Sequence, residues 1–258
     1  MNGDKTVPFK VVIPARLAST RLPRKVLREV AGRPILRYVW EAALASGAEQ
    51  VLIATDDEQV ASVARGFGAE VRMTAITHQS GSDRVNEVAR AERWASDALV
   101  VNLQGDEPLM PPLLLRQAAA LLHEDATADV ASLCHPLHSV EDWLNPNVVK
   151  VVFDRRGHAL YFSRAPIPWK REGASREAPR FPEGLAYRHI GLYAYRVGRL
   201  AEISALPPAA LEQCEALEQL RALTHGYRIR MGITEQPPPR GVDTEEDLVF
   251  VTAALTRH

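Results

Sequence analysis

Cysteine is scarce in this chain: Cys134 and Cys214 are the only two among 258 residues. Two cysteines far apart in sequence make neither a disulfide framework nor a C-x-x-C zinc site, and they suit a reducing cytoplasm. Long apolar runs are missing as well. Nothing approaches the ~20 consecutive apolar residues that cross a bilayer, and the polar stretch Met1 to Pro8 lacks the apolar segment of a signal peptide. The expectation is an unexported protein with no membrane partner. Charge of one sign is lacking too, because 31 Lys and Arg face 32 Asp and Glu, giving a net charge of −1. That balance excludes generic attraction to nucleic acid, so any cationic function has to be local. The common nucleotide fingerprints are also absent: there is no G-x-x-x-x-G-K-[ST], and no G-x-G-x-x-G follows the first strand.

What the chain does have is enough apolar material, 46% of residues, to fill a large core. Val11, Val12 and Ile13 are β-branched and make a short apolar run, as in a strand covered on both faces. Helix patterns at 35–46 and 58–67 alternate with strands at 50–54 and around Val71. A further helix at 82–95 then precedes a strand at 98–102, and 112–123 is helical again. Asp56 and Asp57 can cap the second helix, and Gly47 stops the first. The pattern predicts an α/β fold with a mostly parallel, doubly wound, Rossmann-like sheet. Between about 133 and 186 proline, arginine and aromatics increase, and strands at 148–153 and 159–162 flank a turn at Arg155-Arg156-Gly157. This segment reads as a smaller β-rich lobe inserted into a single domain spanning 1–258. A helix at 211–225, a strand at 227–233 and a last helix from Thr244 complete the chain.

Chemistry concentrates where strands end. After the first strand comes a loop of small residues, Ala15, Ala18, Ser19 and Thr20, stiffened by Pro14 and Pro23 and carrying Arg16, Arg21, Arg24 and Lys25. Cations on a loop beyond a strand's carboxyl end suit a polyphosphate, although exposed cations are also ordinary solvated surface. The strand 99–103 runs into Gln104-Gly105-Asp106-Glu107-Pro108. A Gly-Asp pair is usually just a turn, but a carboxylate at the same sheet edge as a phosphate loop is what a divalent metal bridging protein and phosphates needs. Asp243, before the last helix, is either a cap or a second metal acid.

Seven strings in order carry a resemblance: Ile13-Pro14-Ala15-Arg16 with Ser19 to Pro23, His78 to Arg84, Val101 to Pro108, Tyr161-Phe162-Ser163-Arg164, Arg188-His189-Ile190-Gly191, Leu217-Glu218-Gln219-Leu220-Arg221, and Gly241-Val242-Asp243-Thr244. From about residue 9 to 250 the chain closely resembles the 3-deoxy-manno-octulosonate (Kdo) cytidylyltransferases. The resemblance implies a nucleotide-diphospho-sugar transferase type of sheet. It also implies transfer of CMP from CTP to the anomeric hydroxyl of Kdo, with release of pyrophosphate, for lipopolysaccharide biosynthesis. It implies Arg16, Lys25 and Asp106 as the catalytic set, with Asp106 and Asp243 binding Mg²⁺. The nucleotide contacts would be Pro14, Ala15, Arg16, Lys25, Gln79, Ser80, Gly81, Arg84 and Asp106. The sugar contacts would be Gln104, Arg164, His189, Tyr193, Glu218 and Gln219, with Arg164 gripping the sugar carboxylate bidentately. Tyr193 lies on the same strand face as His189, and Glu218 and Gln219 fall on the helix 211–225. A homodimer through the middle lobe is implied too.

One departure touches the cationic loop. The family usually has glycine before the lysine, where this chain has Arg24; if that position needs positive φ, Arg24 is strained. The rivals are a sialic acid cytidylyltransferase using the same chemistry, a metal-dependent glycosyltransferase, and a catalytically silent nucleotide-binding protein. The glycosyltransferase would need an Asp-x-Asp motif whose first acid Gln104-Gly105-Asp106 lacks, and the silent binder fits poorly with Arg16, Lys25, Asp106 and Asp243 all present.

Overall fold

The computed structural model describes residues 7–17, 22–78, 80–171, 179–239 and 241–256. Gln79 and the loop residues Ala18, Ser19, Thr20 and Arg21 lie outside the described residues. In chain order the elements are β1 (Lys10–Pro14), a single 3-10 turn (Lys25–Leu27), β2 (Glu29–Val30), β3 (Arg33–Pro34), α1 (Ile35–Ala45), β4 (Gln50–Thr55), α2 (Glu58–Gly66) and β5 (Glu70–Met73). Next come α3 (Gly81–Ala91), β6 (Leu99–Asn102), α4 (Pro112–Glu124), β7 (Val130–Pro136), α5 (Val140–Leu144), β8 (Lys150–Phe153) and β9 (Ala159–Ser163). The chain ends with β10 (Tyr187–Arg196), α6 (Val197–Ser204), α7 (Ala210–Glu215), α8 (Gln219–Thr224), β11 (Ile229–Ile233) and α9 (Glu245–Leu255).

The main sheet has the order β11-β7-β10-β6-β1-β4-β5. The pairs β1·β4, β1·β6, β4·β5 and β7·β11 are parallel, whereas β10 runs antiparallel to both β6 and β7. Both faces are covered, and β1 shows how: Val11 and Ile13 join one apolar cluster with α1, α2 and α4, while Val12 joins the opposite one with α3, α6 and α8. All three are fully buried, which is why the strand reads as a continuous apolar run rather than an alternating one. The doubly wound, mostly parallel fold expected from the sequence is therefore what forms.

Topology places the ligand crevice. From β1 the chain winds outward through β4 to β5, then returns through α3 to β6 on the other side of β1. The order reverses there, and open α/β sheets bind ligands beside the carboxyl ends of the strands that flank such a reversal. Segment 133–186 starts inside β7, and its hairpin β8–β9 pairs with the start of β10 at Val151↔Tyr187 and Lys150↔Arg188. It carries a small core of its own, made of Leu137, Trp143, Val148 and Ala186 with Phe181 packed against it.

Local chemistry sets the boundaries that matter for the site. The carboxylate of Asp57 caps α2, accepting from Gln59 N and Val60 N. Ser80 caps α3: Ser80 Oγ accepts from Asp83 N, and the Asp83 carboxylate accepts from Ser80 N. The helix expected at 211–225 is two helices, because Ala216 takes a left-handed conformation with φ 50° and turns α8 away from α7. Glu218 and Gln219 thus stand at the start of α8 rather than within one long helix.

Candidate active site

A cleft of about 840 Å³ opens at the crevice between β1 and β6. Its floor is backbone. Leu103 N donates to Val12 O (3.1 Å), and Gly105 N to Pro14 O (3.3 Å), so the exits of the two strands lie side by side. A Cβ on Gly105 would sit 3.0 Å from that carbonyl and 3.5 Å from Ala15 Cα, and glycine permits the approach. Pro14, Ser80, Gly81 and Gln104 line the same floor.

Three charged groups converge on one wall. Lys25 Nζ donates to Asp106 Oδ2 at 2.5 Å and to Asp243 Oδ1 at 2.9 Å. Burial pulls the lysine pKa down, but the charge and hydrogen bonds of Asp106 and then Asp243 outweigh it, so it stays raised and charged. Asp243 arrives from the far end of the chain by a short backbone tie, Val242 N to Asp106 O (2.9 Å), with Val242 fully buried. Glycine at 241 leaves room for this approach, since a Cβ there would fall 2.7 Å from Glu107 Oε1 and 3.2 Å from Asp106 O. Thr244, not Asp243, caps α9 in a capping box with Asp247, which also accepts from Asp243 N at 3.0 Å. Asp243 itself lines the cleft.

Arg16 also lines the cleft, and one of its Nη atoms is buried with no hydrogen-bond partner among the described residues. Burial and then the neighbouring Arg84 charge lower its pKa. An unpaired buried guanidinium N–H is costly and favours an anion beside it. Together, two carboxylates on one wall and a cation short of an acceptor fit a divalent ion held by carboxylates and phosphate oxygens at once. Among the described residues no cluster of three or more His, Cys, Asp or Glu is placed to hold a metal, and phosphate oxygens and water would supply the other ligands of such an ion.

The sugar-side set divides. Gln104 and Glu218 line the main cleft. Tyr193 and Gln219 line a small enclosed cavity of about 60 Å³ behind it, whose wall Glu218 shares, and Gln219 Nε2 is buried there without a partner among the described residues. The His189 ring lies 5.4 Å from that of Tyr193, tilted by 51°, and its Nε2 lies 2.9 Å from Ser132 Oγ. Burial pushes its pKa down to about 3, so the imidazole is neutral.

Comparison with known proteins places this geometry. A family model described as cytidylyltransferase matches residues 10–229. The 3-deoxy-manno-octulosonate cytidylyltransferase of Thioalkalivibrio sulfidiphilus is 55% identical over 96% of this chain and 98% of its own. That of Pseudomonas fluorescens is 52% identical, with 96% and 98% covered. The structure of CMP:2-keto-3-deoxy-manno-octonic acid synthetase complexed with CTP superposes with a TM-score of 0.87 at 38% identity, covering 97% of this chain and 99% of that one. The chain belongs to the 3-deoxy-manno-octulosonate cytidylyltransferase family. A cytidylyltransferase from Leptospira borgpetersenii shares the fold, with a TM-score of 0.64 at 16% identity.

Of the other expected contact residues of this cytidylyltransferase, the fully buried Ala15 and both Arg84 and Arg164 also fall outside the cleft lining. Arg84 is fully buried; its guanidinium pairs with the Asp56 carboxylate and donates to Thr74 Oγ1 at 2.5 Å, behind the cleft wall. Arg164 spends its guanidinium on backbone carbonyls, Nε to Glu215 O (2.7 Å), Nη1 to Pro146 O (3.0 Å) and Nη2 to Ala216 O (3.4 Å). Other residues reach the site unannounced. Glu107 lies against Gly241, and burial together with the Asp106 charge pushes its pKa up to about 8. Arg221 lines the cleft in a forked pair with Glu212, at 2.7 and 2.9 Å. Each sits inside a string already singled out or one turn of helix from it, which was the available signal.

Proposed function

We propose that this chain transfers CMP from CTP to the anomeric hydroxyl of Kdo, with Mg²⁺ as cofactor. The observation that carries the reading is the convergence of Lys25, Asp106 and Asp243 on one wall of a cleft whose other lining includes a buried, underpaired Arg16. Attack of the sugar oxygen on the α-phosphorus makes one P–O bond as the bond to the β-phosphate oxygen breaks; pyrophosphate leaves and the hydroxyl proton is released. Negative charge gathers around the α-phosphate in the transition state, so positioned cations do the catalysis and no protein nucleophile is needed. Arg16 and Lys25 are placed to neutralise the triphosphate. Asp106 and Asp243 would hold the metal, which when bound supplies Lewis-acid stabilisation and acidifies the attacking hydroxyl. Gln104 and Glu218 face the acceptor side, with Tyr193, Gln219 and the neutral His189 behind them as a hydrogen-bonding layer. Incubation with CTP, Mg²⁺ and either Kdo or sialic acid, with pyrophosphate as the readout, tests the reading. Release with Kdo is expected, and release with sialic acid alone would overturn the acceptor.

Two further parts of the reading concern the whole protein. Exposed Trp169 and Leu185 beside Phe181 support a homodimer through the middle segment, as the resemblance implies. Light scattering should give twice the chain mass of 28.5 kDa, and a monomer mass would refute the dimer. Free cysteines at positions 134 and 214 support work in the cytoplasm. Among the described residues no helix is long and apolar enough to cross a membrane. Fractionation that places the chain outside the cytoplasm would refute that location.

A further inference from the structure

Lys150 is fully buried, an exceptional place for an ammonium group. All three of its donors are spent on main-chain carbonyls: Asn145 O at 2.9 Å, Val148 O at 2.6 Å and Arg164 O at 2.6 Å. Burial, and then the charge of Arg164, push its pKa down to about 8. Nothing in the proposed chemistry uses this group, yet burying a charge is expensive unless every donor is satisfied.

The bonds trace a path toward the cleft. Lys150 holds the end of β9 through the Arg164 carbonyl and ties it to the turn after α5. Arg164 reaches the same turn at Pro146 and extends its other guanidinium nitrogens to the carbonyls of Glu215 and Ala216. The Glu215 carboxylate answers by accepting from Arg164 N (2.9 Å), Ser163 Oγ (2.6 Å) and Tyr161 OH (3.2 Å). Ala216 is the left-handed residue between α7 and α8. A non-glycine residue in that conformation is unfavourable by itself and persists only where its surroundings hold it. The corner decides where Leu217, Glu218 and Arg221 meet the cleft.

The geometry points to Lys150 and Arg164 as paired positioning residues: a two-cation pillar from the middle segment that holds the Glu215–Ala216 corner and so sets the acceptor-side wall of the cleft. This assignment rests on the reading of that wall as the sugar-acid side. It gives Arg164 a role that requires no contact with substrate.

The full-length Lys150→Met variant, close in length but without donors, is the test, with Arg164→Lys beside it to keep the charge while removing the fork. Amide exchange of the ligand-free protein is expected to rise in peptides spanning 209–221 in both variants. The KM for Kdo should rise on the order of ten-fold while that for CTP stays within about two-fold. Unchanged exchange at 209–221 in whichever variant folds, or an equal rise in both KM values, would overturn the pillar. A carboxylate clamp at Arg164 would instead raise the KM for Kdo with exchange unaltered, which also overturns it. Exchange needs no turnover, so failure of the pillar remains distinct from failure of the proposed function, which would show as no pyrophosphate from the unmutated chain.

Discussion

Arg24 is a single residue held in a conformation that suits another. Its φ of 58° and ψ of 29° are left-handed, so the positive-φ requirement that a glycine would meet at this position is real. The Arg24 side chain is exposed and does not line the cleft, so it brings no compensating contact there. Arg24→Gly should stabilise the protein by about 1 kcal/mol, the left-handed penalty less the added freedom of the unfolded chain. For a chain of this size that is a rise of about 2–3 °C in Tm. Calorimetry checks it, together with an unchanged KM for CTP; a lower Tm would mean that the arginine makes a stabilising contact of its own.

Among the elements, α9 does more than close the fold. Its N-cap immediately follows Asp243, and Asp247 holds Thr244 N, Thr244 Oγ1 and Asp243 N together. A forked pair between Arg28 and Glu245 (2.8 and 2.9 Å) joins the first turn of α9 to the segment that follows Lys25. That pair is exposed and weak, whereas the cap is worth about 1 kcal/mol. Thr244→Ala should therefore lower Tm by about 2 °C and, by loosening Asp243, raise the Mg²⁺ concentration that gives half-maximal turnover. Loss of stability with an unchanged metal requirement would separate the cap from the site.

The same scale shows what could be read from sequence. The strand β1 and the helices α1 and α2 were legible because their apolar spacing and caps are local signals. The break at Ala216 was not, since neither glycine nor proline marks it and its support comes from Arg164, far away in sequence. Asp106 could be placed at a strand end by pattern alone. Its meeting with Asp243 could not, because that depends on the Val242 N to Asp106 O bond between remote segments. Arg164 was legible as a cation in a telling string, while the carbonyls that occupy it were invisible.

For the whole molecule, the buried His189 predicts acid sensitivity. An unfolded histidine takes up its proton near pH 6.5, but in the fold His189 resists until about pH 3 because of burial and then the nearby charge of Arg188. Between those values the unfolded state binds more protons, so stability falls as pH drops, by up to about 1.4 kcal/mol per unit. Above pH 6.5 the residue is neutral in both states and contributes nothing to the slope. Melting temperatures followed from about pH 7 to about pH 4 should decline, and His189→Asn should flatten the decline. Parallel curves for parent and variant would place the sensitivity elsewhere.

The ammonium of Lys25 between Asp106 and Asp243 has a consequence for the order of events. The acid pair already possesses an internal counter-ion, so the proposed divalent ion would trade against a tethered cation rather than simply join two carboxylates. On the proposed reading, triphosphate would offer the lysine a new anion and release the acids, so that nucleotide and metal uptake would reinforce each other. Lys25→Gln, although impaired in turnover, should bind Mn²⁺ several-fold more tightly than the parent in the absence of CTP, and should lose much of the gain that CTP confers. Titration followed by electron paramagnetic resonance reads both quantities. Weaker Mn²⁺ binding by the variant would show that the lysine recruits the metal instead of holding its place.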